Sequence, residues 1–354
     1  MESFRLPSAT YRILDAAFNR AAEGFRVVED FLRLSLSDRY LARTTKDLRH
    51  QLTVASTQLD AHARIAARDT LNDVGCDIQA DSEFVRYSNE DVVRANLARV
   101  QQSLRTLEEY GKTISVKFSQ SVEKLRYQTY TLEKAILTTL SSRQNLEQAQ
   151  LYVLIDARFE SGDFEPLVEQ LIEAKVDLIQ LREKRLNDRE QVKVGLQLTA
   201  LTRDTPTRWI MNDRADLAVA AGADGVHVGQ DDLSVAAARQ IVGAERMVGV
   251  STHSLEQAQQ AVLQGANYIG VGPVFASRTK QFDAHMGLEL VREVADEIQL
   301  PAFAIGGVNQ NNIEQIMRAG LCRAAVQQGI VGAEQPFQAA ARFKSLISSS
   351  RSGE

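Results

Sequence analysis

Cysteine is nearly absent from this 354-residue chain: there are two, Cys76 and Cys322, far apart in sequence. They form no CxxC and no metal-ligand spacing, which argues against a disulfide framework or a zinc site. No run of about 18 apolar residues occurs, so no membrane-spanning helix is expected. The opening "MESFRLPSATYRILD" has no apolar core of the signal-peptide kind, and a cytoplasmic location is the expectation. Strong charge of one sign is lacking too. The net charge of −5 gives no reason to expect nucleic acid or an anionic membrane as partner. Hydrophobic residues make up 44% and charged residues 25%, as in ordinary globular proteins, and the length suggests two domains.

Glycine and proline are scarce in one half only. Residues 1–145 hold three glycines, Gly24, Gly75 and Gly111, and no proline after Pro7; the other seventeen glycines follow. Such a stretch, rich in charged and apolar mixtures, reads as helical. Apolar residues recur at helical spacing at Ile13, Ala17, Phe18, Ala21, Phe25, Val28 and Leu32. Further helices are predicted near "KDLRHQLTVASTQL", over "NEDVVRANLARVQQSLRTLEEYGK" with Asn89 as its cap, and over "SVEKLRYQTYTLEKAILTTLSSRQ". The expectation is an all-α helical bundle domain over 1–145.

The first and third of these helices match at an offset of 79 residues: Arg20 with Arg99, Arg26 with Arg105, Glu29 with Glu108. That fits an internal helix-pair repeat. It also fits two unrelated amphipathic helices laced with i,i+3 charge pairs. "ARDTLNDVGCDI" (67–78) breaks the helical grammar and reads as a loop.

From Leu151 the pattern changes. Eight short apolar, β-branched runs alternate with helical stretches: "LYVLID", "VDLIQLREK", "TRWIMND", "ADGVHVG", "RMVGVSTH", "NYIGVGPVF", "PAFAIGGV" and "AAVQQGI". Alternation of this kind predicts a parallel sheet with helical crossovers. Eight units over 151–345 favour a (β/α)8 TIM barrel over an open doubly wound sheet.

Barrel chemistry gathers at the C-terminal ends of the strands. Period-two alternation at the end of the second run points Gln180, Arg182 and Lys184 to one side, and Leu181 and Glu183 to the other. The third run ends in Asn212 and Asp213, and the fourth is followed by Gln230, Asp231 and Asp232. Asp213 with Asp231 or Asp232 fits a magnesium site, which takes few carboxylates plus water and phosphate oxygens. The same aspartates fit helix capping. His227 fits a substrate contact or a hydrogen-bonded structural role. The fifth run ends in Ser251, Thr252 and His253, with Ser254 placed to cap the next helix. Ser277, Arg278, Thr279 and Lys280 follow the sixth, hydroxyls and cations suited to a polyphosphate. Gly306 and Gly307 after the seventh, with "VQQGIVGA" at the eighth, sit where barrels bind a phosphate. Two anion sites at one rim are the expectation.

Taken in order, "QLREK", "ND", "HVGQDD", "VSTH", "SRTK" and "AIGGV" resemble the thiamine-phosphate synthase family. Asp213 and Asp232, and Asp232 and Ser251, are each 19 apart, intervals similar to the family's. The resemblance implies a transferase that joins 4-amino-2-methyl-5-hydroxymethylpyrimidine diphosphate to thiazole phosphate and releases pyrophosphate by a dissociative, Mg2+-assisted route. It assigns catalysis to Arg182, Lys184, Lys280 and Ser251. It places Gln180, Glu183, Asn212, Ser277, Thr279, Gly307, Gln327 and Gln328 in substrate binding, and Asp213 and Asp232 on Mg2+. Gln327 and Gln328 depart from the Val-Ser pair common there. The partners implied are small molecules; an oligomeric state is not legible. Two rivals stand beside this reading, a thiazole tautomerase-like barrel and a ligand-sensing barrel without coupling.

The first half resembles the helical extension joined to this barrel in some bacterial members, through "NRAAEGFRVVED", "RDTLNDVG" and "RANLARVQQSLRTLEE". That resemblance implies a pyrimidine phosphate kinase or an interaction module. Arg20, Glu23, Arg26 and Asp69 are the residues it brings forward, although no P-loop is present.

Overall fold

A computed structural model describes residues 8–73, 85–157, 163–276 and 287–351. The chain divides into two compact units, Met1–Ile136 and Leu137–Glu354. Among the described residues of the first part the elements are α1 (Ser8–Leu34), α2 (Arg39–Ser56), α3 (Ala61–Ala66), α4 (Asn89–Gly111) and α5 (Val116–Asn145), the last continuing past the division. The six-residue α3 is too short to show a periodicity of its own in the sequence. Asn89 is the first helical residue of α4 and not its cap. Ser88 holds that place, with extended backbone and a side chain that accepts the Asp91 N–H.

The offset pairs of α1 and α4 share one environment. Leu14 and Val93, Ala21 and Val100, Phe25 and Leu104, Val28 and Leu107 are all buried. Glu29 and Glu108 are buried as well, and each takes an arginine from the following helix: Arg49 Nε at 3.0 Å and Arg126 Nε at 2.8 Å. Each also meets the arginine three residues before it, Arg26 at 3.7 Å and Arg105 at 2.8 Å. Matched burial and matched ion pairs support the helix-pair repeat over two unrelated helices. A buried carboxylate needs such partners, because desolvation alone would cost several kcal/mol.

The second unit is a closed barrel of eight parallel strands in sequence order. The strands are β1 (Leu151–Ile155), β2 (Leu178–Leu181), β3 (Arg208–Asn212), β4 (Gly225–Val228), β5 (Met247–Thr252), β6 (Tyr268–Val271), β7 (Ala302–Ile305) and β8 (Ala324–Val326). The helices between and after them are α6 (Phe164–Glu173), α7 (Asp188–Thr202), α8 (Ala215–Ala221), α9 (Val235–Val242), α10 (Leu255–Gln264), α11 (Gly287–Glu297), α12 (Ile313–Arg318), α13 (Gln328–Val331) and α14 (Pro336–Arg351). No helix among the described residues is long and apolar enough to cross a membrane.

Alternation sends Tyr152, Leu154, Leu178, Ile210, Met247, Tyr268, Phe303 and Ala325 inward, where they pack together with Leu146 and Ala149. The aromatic rings meet edge-on, Tyr152 to Phe303 at 5.4 Å and Tyr268 to Phe303 at 5.7 Å between centroids, an arrangement favoured by ring quadrupoles. One register row runs Asn212, His227, Gly249, Tyr268 across β3 to β6. Gly249 is what makes that row possible, because a methyl group there would overlap the Tyr268 ring.

Candidate active site

The site is built at the strand C-termini. β2 ends at Leu181, and Arg182 continues from it with its N–H donating to Ile155 O at 2.8 Å. Gln180 points into the barrel and is buried. Glu183 points the other way. Its carboxylate accepts Ala157 N–H at 3.1 Å and Arg185 N–H at 2.7 Å, so it ties the end of β1 to the turn after β2. Burial works to raise the Glu183 carboxyl, but the Arg185 guanidinium and the Arg185 and Ala157 N–H groups together hold it below the usual carboxylate range.

Asp213 follows β3 with φ at 61°, the left-handed region that few side chains adopt. Its N–H donates to His227 O at 2.7 Å, which fixes that backbone against β4. The cap of α8 is Arg214, with no side-chain cap bond, and the cap of α9 is Ser234. Neither Asp213, Asp231 nor Asp232 caps a helix, so that reading of the aspartates falls away. Ser254 does cap α10.

Asp213 and Asp232 meet through their carboxylates, beside the Asn212 amide and within the field of Lys184. Burial, the hydrogen bond to Asp232 and its negative charge raise Asp213 to about 6, while Lys184 and Asn212 pull the other way. Asp232 also accepts Gly229 N–H at 2.7 Å. Two converging carboxylates, one resisting ionisation, form a donor set that a small hard cation suits.

Beneath the rim runs a buried polar chain. Gln180 Nε2 donates to Tyr152 Oη at 2.7 Å, and Tyr152 Oη lies 3.0 Å from Tyr268 Oη. Tyr268 Oη lies 3.2 Å from His227 Nδ1, and His227 Nε2 lies 3.0 Å from Ser251 Oγ. His227 is thus both a structural histidine and a direct neighbour of a rim residue. Burial pushes both tyrosine hydroxyls well above their ordinary value, so they stay protonated.

Gly306 and Gly307 follow β7, both with positive φ. At Gly307 a side chain would strike Ala276 O, because the β6 loop lies against this turn through Phe275 N–H to Gly306 O at 3.0 Å. Gln327 precedes α13 without a side-chain cap, and the Gln328 amide folds back beside Gly332. Ser277, Thr279 and Lys280 lie outside the described residues.

The strand ends therefore carry two groups, Asn212, Asp213, Asp232 and Lys184 in one and Gln180, His227 and Ser251 in the other, joined through the Asp213 N–H on His227 O, with Glu183 turned away. Tyr152 and Tyr268 belong to the same network and were not legible as site residues. The signal was their inward parity together with a glycine on the neighbouring strand, Gly249 beside Tyr268. In the helical part, Arg12 meets Asp69 and Asp73, Arg68 bonds Asp15, and Asn19 bonds Asp15 at 3.3 Å. Arg26 is held by Glu29 and Asp30, while Arg20 and Glu23 are exposed.

Residues 151–330 match the family model for thiamine monophosphate synthase, and residues 12–135 match the ThiD2 family. The chain belongs to the thiamine-phosphate synthase family. The thiamine-phosphate synthase of Rhodopirellula baltica is 42% identical over 348 residues, 95% of this chain and 92% of that protein. That of Gloeobacter violaceus is 42% identical over 94% of this chain and 95% of its own length. A thiamine phosphate pyrophosphorylase from Pyrococcus furiosus superposes with a TM-score of 0.53 at 31% identity, covering 59% of this chain and 98% of that one. Membership makes this chain a transferase of thiamine biosynthesis.

Proposed function

We propose that the barrel joins 4-amino-2-methyl-5-hydroxymethylpyrimidine diphosphate to thiazole phosphate, forming thiamine phosphate and pyrophosphate. The observation that carries this reading is the meeting of Asp213 and Asp232 within the field of Lys184, with the Asp213 N–H bonded to the backbone of His227, whose ring meets Ser251. A cluster of carboxylates, cation and hydroxyl suits a diphosphate that must leave.

Asp213 and Asp232 hold Mg2+ in this reading. Mg2+, when bound, withdraws charge from the diphosphate oxygens. Lys184 and Arg182, with Lys280, stabilise the same oxygens as the carbon–oxygen bond breaks. The electron pair of that bond leaves with pyrophosphate. The pyrimidine 4-amino group feeds electrons to the cationic carbon, and the thiazole nitrogen closes the new carbon–nitrogen bond. No protein nucleophile takes part. Gln180 and Asn212 orient the pyrimidine diphosphate and Ser251 donates to it. Ser277, Thr279, Gly307, Gln327 and Gln328 face the thiazole phosphate. For Gln328 the backbone is the better donor, because its side chain is turned to Gly332.

Coupling is tested by mixing the purified chain with both substrates and Mg2+. Thiamine phosphate formed in step with pyrophosphate supports the reading. Tight binding without product favours a sensing barrel, and turnover of the thiazole alone a tautomerase-like one.

For the helical part we propose a pyrimidine phosphate kinase. Its support is the ThiD2 family match and the grouping of Arg12, Asp15, Arg68 and Asp69. ADP and pyrimidine diphosphate formed from ATP and the monophosphate by the whole chain would support it. Their absence leaves the helices an interaction module.

A further inference from the structure

We infer that Tyr268 is a positioning residue: through His227 it sets the direction of the Ser251 hydroxyl, turning its proton toward the diphosphate. The inference rests on the diphosphate reading of the rim and adds residues that reading does not use.

Each hydroxyl in the buried chain has one proton to give. Tyr152 and Tyr268 are 3.0 Å apart, and by distance alone either could donate. Gln180 decides it, because its Nε2 already donates to Tyr152 Oη at 2.7 Å. Tyr152 is therefore an acceptor there, and among the described residues Tyr268 Oη is the further partner within reach of its single proton, so in this wiring Tyr152 donates to Tyr268. Tyr268 in turn spends its proton on His227 Nδ1, at 3.2 Å. A neutral imidazole that accepts at Nδ1 carries its hydrogen on Nε2. That hydrogen goes to Ser251 Oγ, at 3.0 Å. Ser251, already accepting, keeps its own O–H for an anion at the rim.

Reversal of the chain reverses the outcome. With the hydrogen on Nδ1, His227 Nε2 would take the Ser251 proton, and the serine would present lone pairs to a diphosphate. The tautomer of one buried imidazole thus chooses between attraction and repulsion. The links from Gln180 to His227 are shielded from water, with Gln180 and Tyr152 2% exposed, Tyr268 0% and His227 7%, and the chain opens toward solvent only at its last member, the half-buried Ser251. Shielding strengthens each bond and makes an unmade one costly.

The test uses the full-length protein and two readouts. Nitrogen-15 histidine spectra, with His227 assigned by the signal lost in His227→Gln, report the tautomer without any turnover. The wild type is expected to carry Nε2–H, and Tyr268→Phe, which keeps the ring against Phe303, to lose that bias. In coupling assays Tyr268→Phe should raise KM for the pyrimidine diphosphate roughly ten-fold, the worth of about one hydrogen bond to a charged group, with KM for thiazole phosphate unchanged. Ser251→Ala should show the same selective rise, and the double variant should be no worse than Ser251→Ala alone. An unchanged tautomer, parallel changes in both KM values, or additive effects would overturn the inference. Tyr152→Phe repeats the test one link earlier should Tyr268→Phe fold poorly. A wild type that does not couple refutes the diphosphate reading, while the spectra still decide the wiring.

Discussion

Tyr152 and Tyr268 come from strands β1 and β6, 116 residues apart, yet their hydroxyl oxygens stand 3.0 Å from each other inside the barrel. Two phenols in a core cost desolvation unless both find partners. Here Gln180 lies at one end and His227 at the other, so the pair is satisfied by residues that reach the rim. Core and site are one hydrogen-bonded body on this side of the barrel.

Gly249→Ala should damage both together. The added methyl overlaps the Tyr268 ring, and overpacking a barrel interior costs about 1–3 kcal/mol. A lower denaturation midpoint together with weaker coupling is expected. A stable, fully active variant would mean the ring moves freely, contrary to the packing described.

Asp213 gives a pH dependence with a definite sign. Its native value of about 6 lies above the ordinary 3.8. As pH rises from 4 to 6 the unfolded chain releases this proton first, so native stability falls across that window and the cost stays constant above it. In Mg2+-free buffer, Asp213→Asn should therefore raise the melting temperature at pH 7.5 and leave it unchanged near pH 3.5. Added Mg2+ should raise the wild-type melting temperature at pH 7.5 and lose that effect below about pH 6, where the proton competes. An equal Mg2+ shift in Asp213→Asn would remove the carboxylate pair from the metal site.

Lys184 acts on Asp213 through space, and the proposed chemistry asks it to hold departing diphosphate oxygens. Lys184→Gln should lower kcat by roughly 100- to 1,000-fold, the usual loss of one preorganised donor to developing charge, with little change in melting temperature. A loss in KM alone would mean it binds the ground state only.

Glu183 predicts the reverse pattern. Glu183→Gln weakens the tie between β1 and the β2 turn and should cost about 1–2 kcal/mol in stability. Coupling measured on the folded fraction should change less than ten-fold. A selective hundred-fold loss of kcat at unchanged stability would put Glu183 in the site after all.

Arg126 and Glu108 form a buried pair at 2.8 Å in the helical part. Arg126→Met strands the carboxylate and should destabilise that unit by about 3 kcal/mol, read as an earlier unfolding transition in urea. Matching loss in Arg49→Met would extend the repeat from geometry to energetics.

Much of this was legible in order along the chain. Eight apolar runs with polar ends predicted the barrel, and alternation placed Gln180 inward and Glu183 outward. What was not legible depends on contacts between distant strands. Tyr152 and Tyr268 read as core residues because core and rim positions share one parity. The aspartates fitted caps and ligands equally until the caps proved to be Arg214 and Ser234. The cap of α4 was misplaced by one residue, since Ser88 and Asn89 are both good capping types and only backbone conformation separates them.

The central claim is that one rim both releases the diphosphate and joins the two heterocycles. Single-turnover reactions followed by phosphorus NMR, with enzyme in excess of the pyrimidine diphosphate and with Mg2+ and thiazole phosphate present, test it most directly. Pyrophosphate and thiamine phosphate should appear in equal amounts at one rate, and both should vanish in Asp213→Asn. Pyrophosphate released without thiamine phosphate, or no release at all, would contradict it.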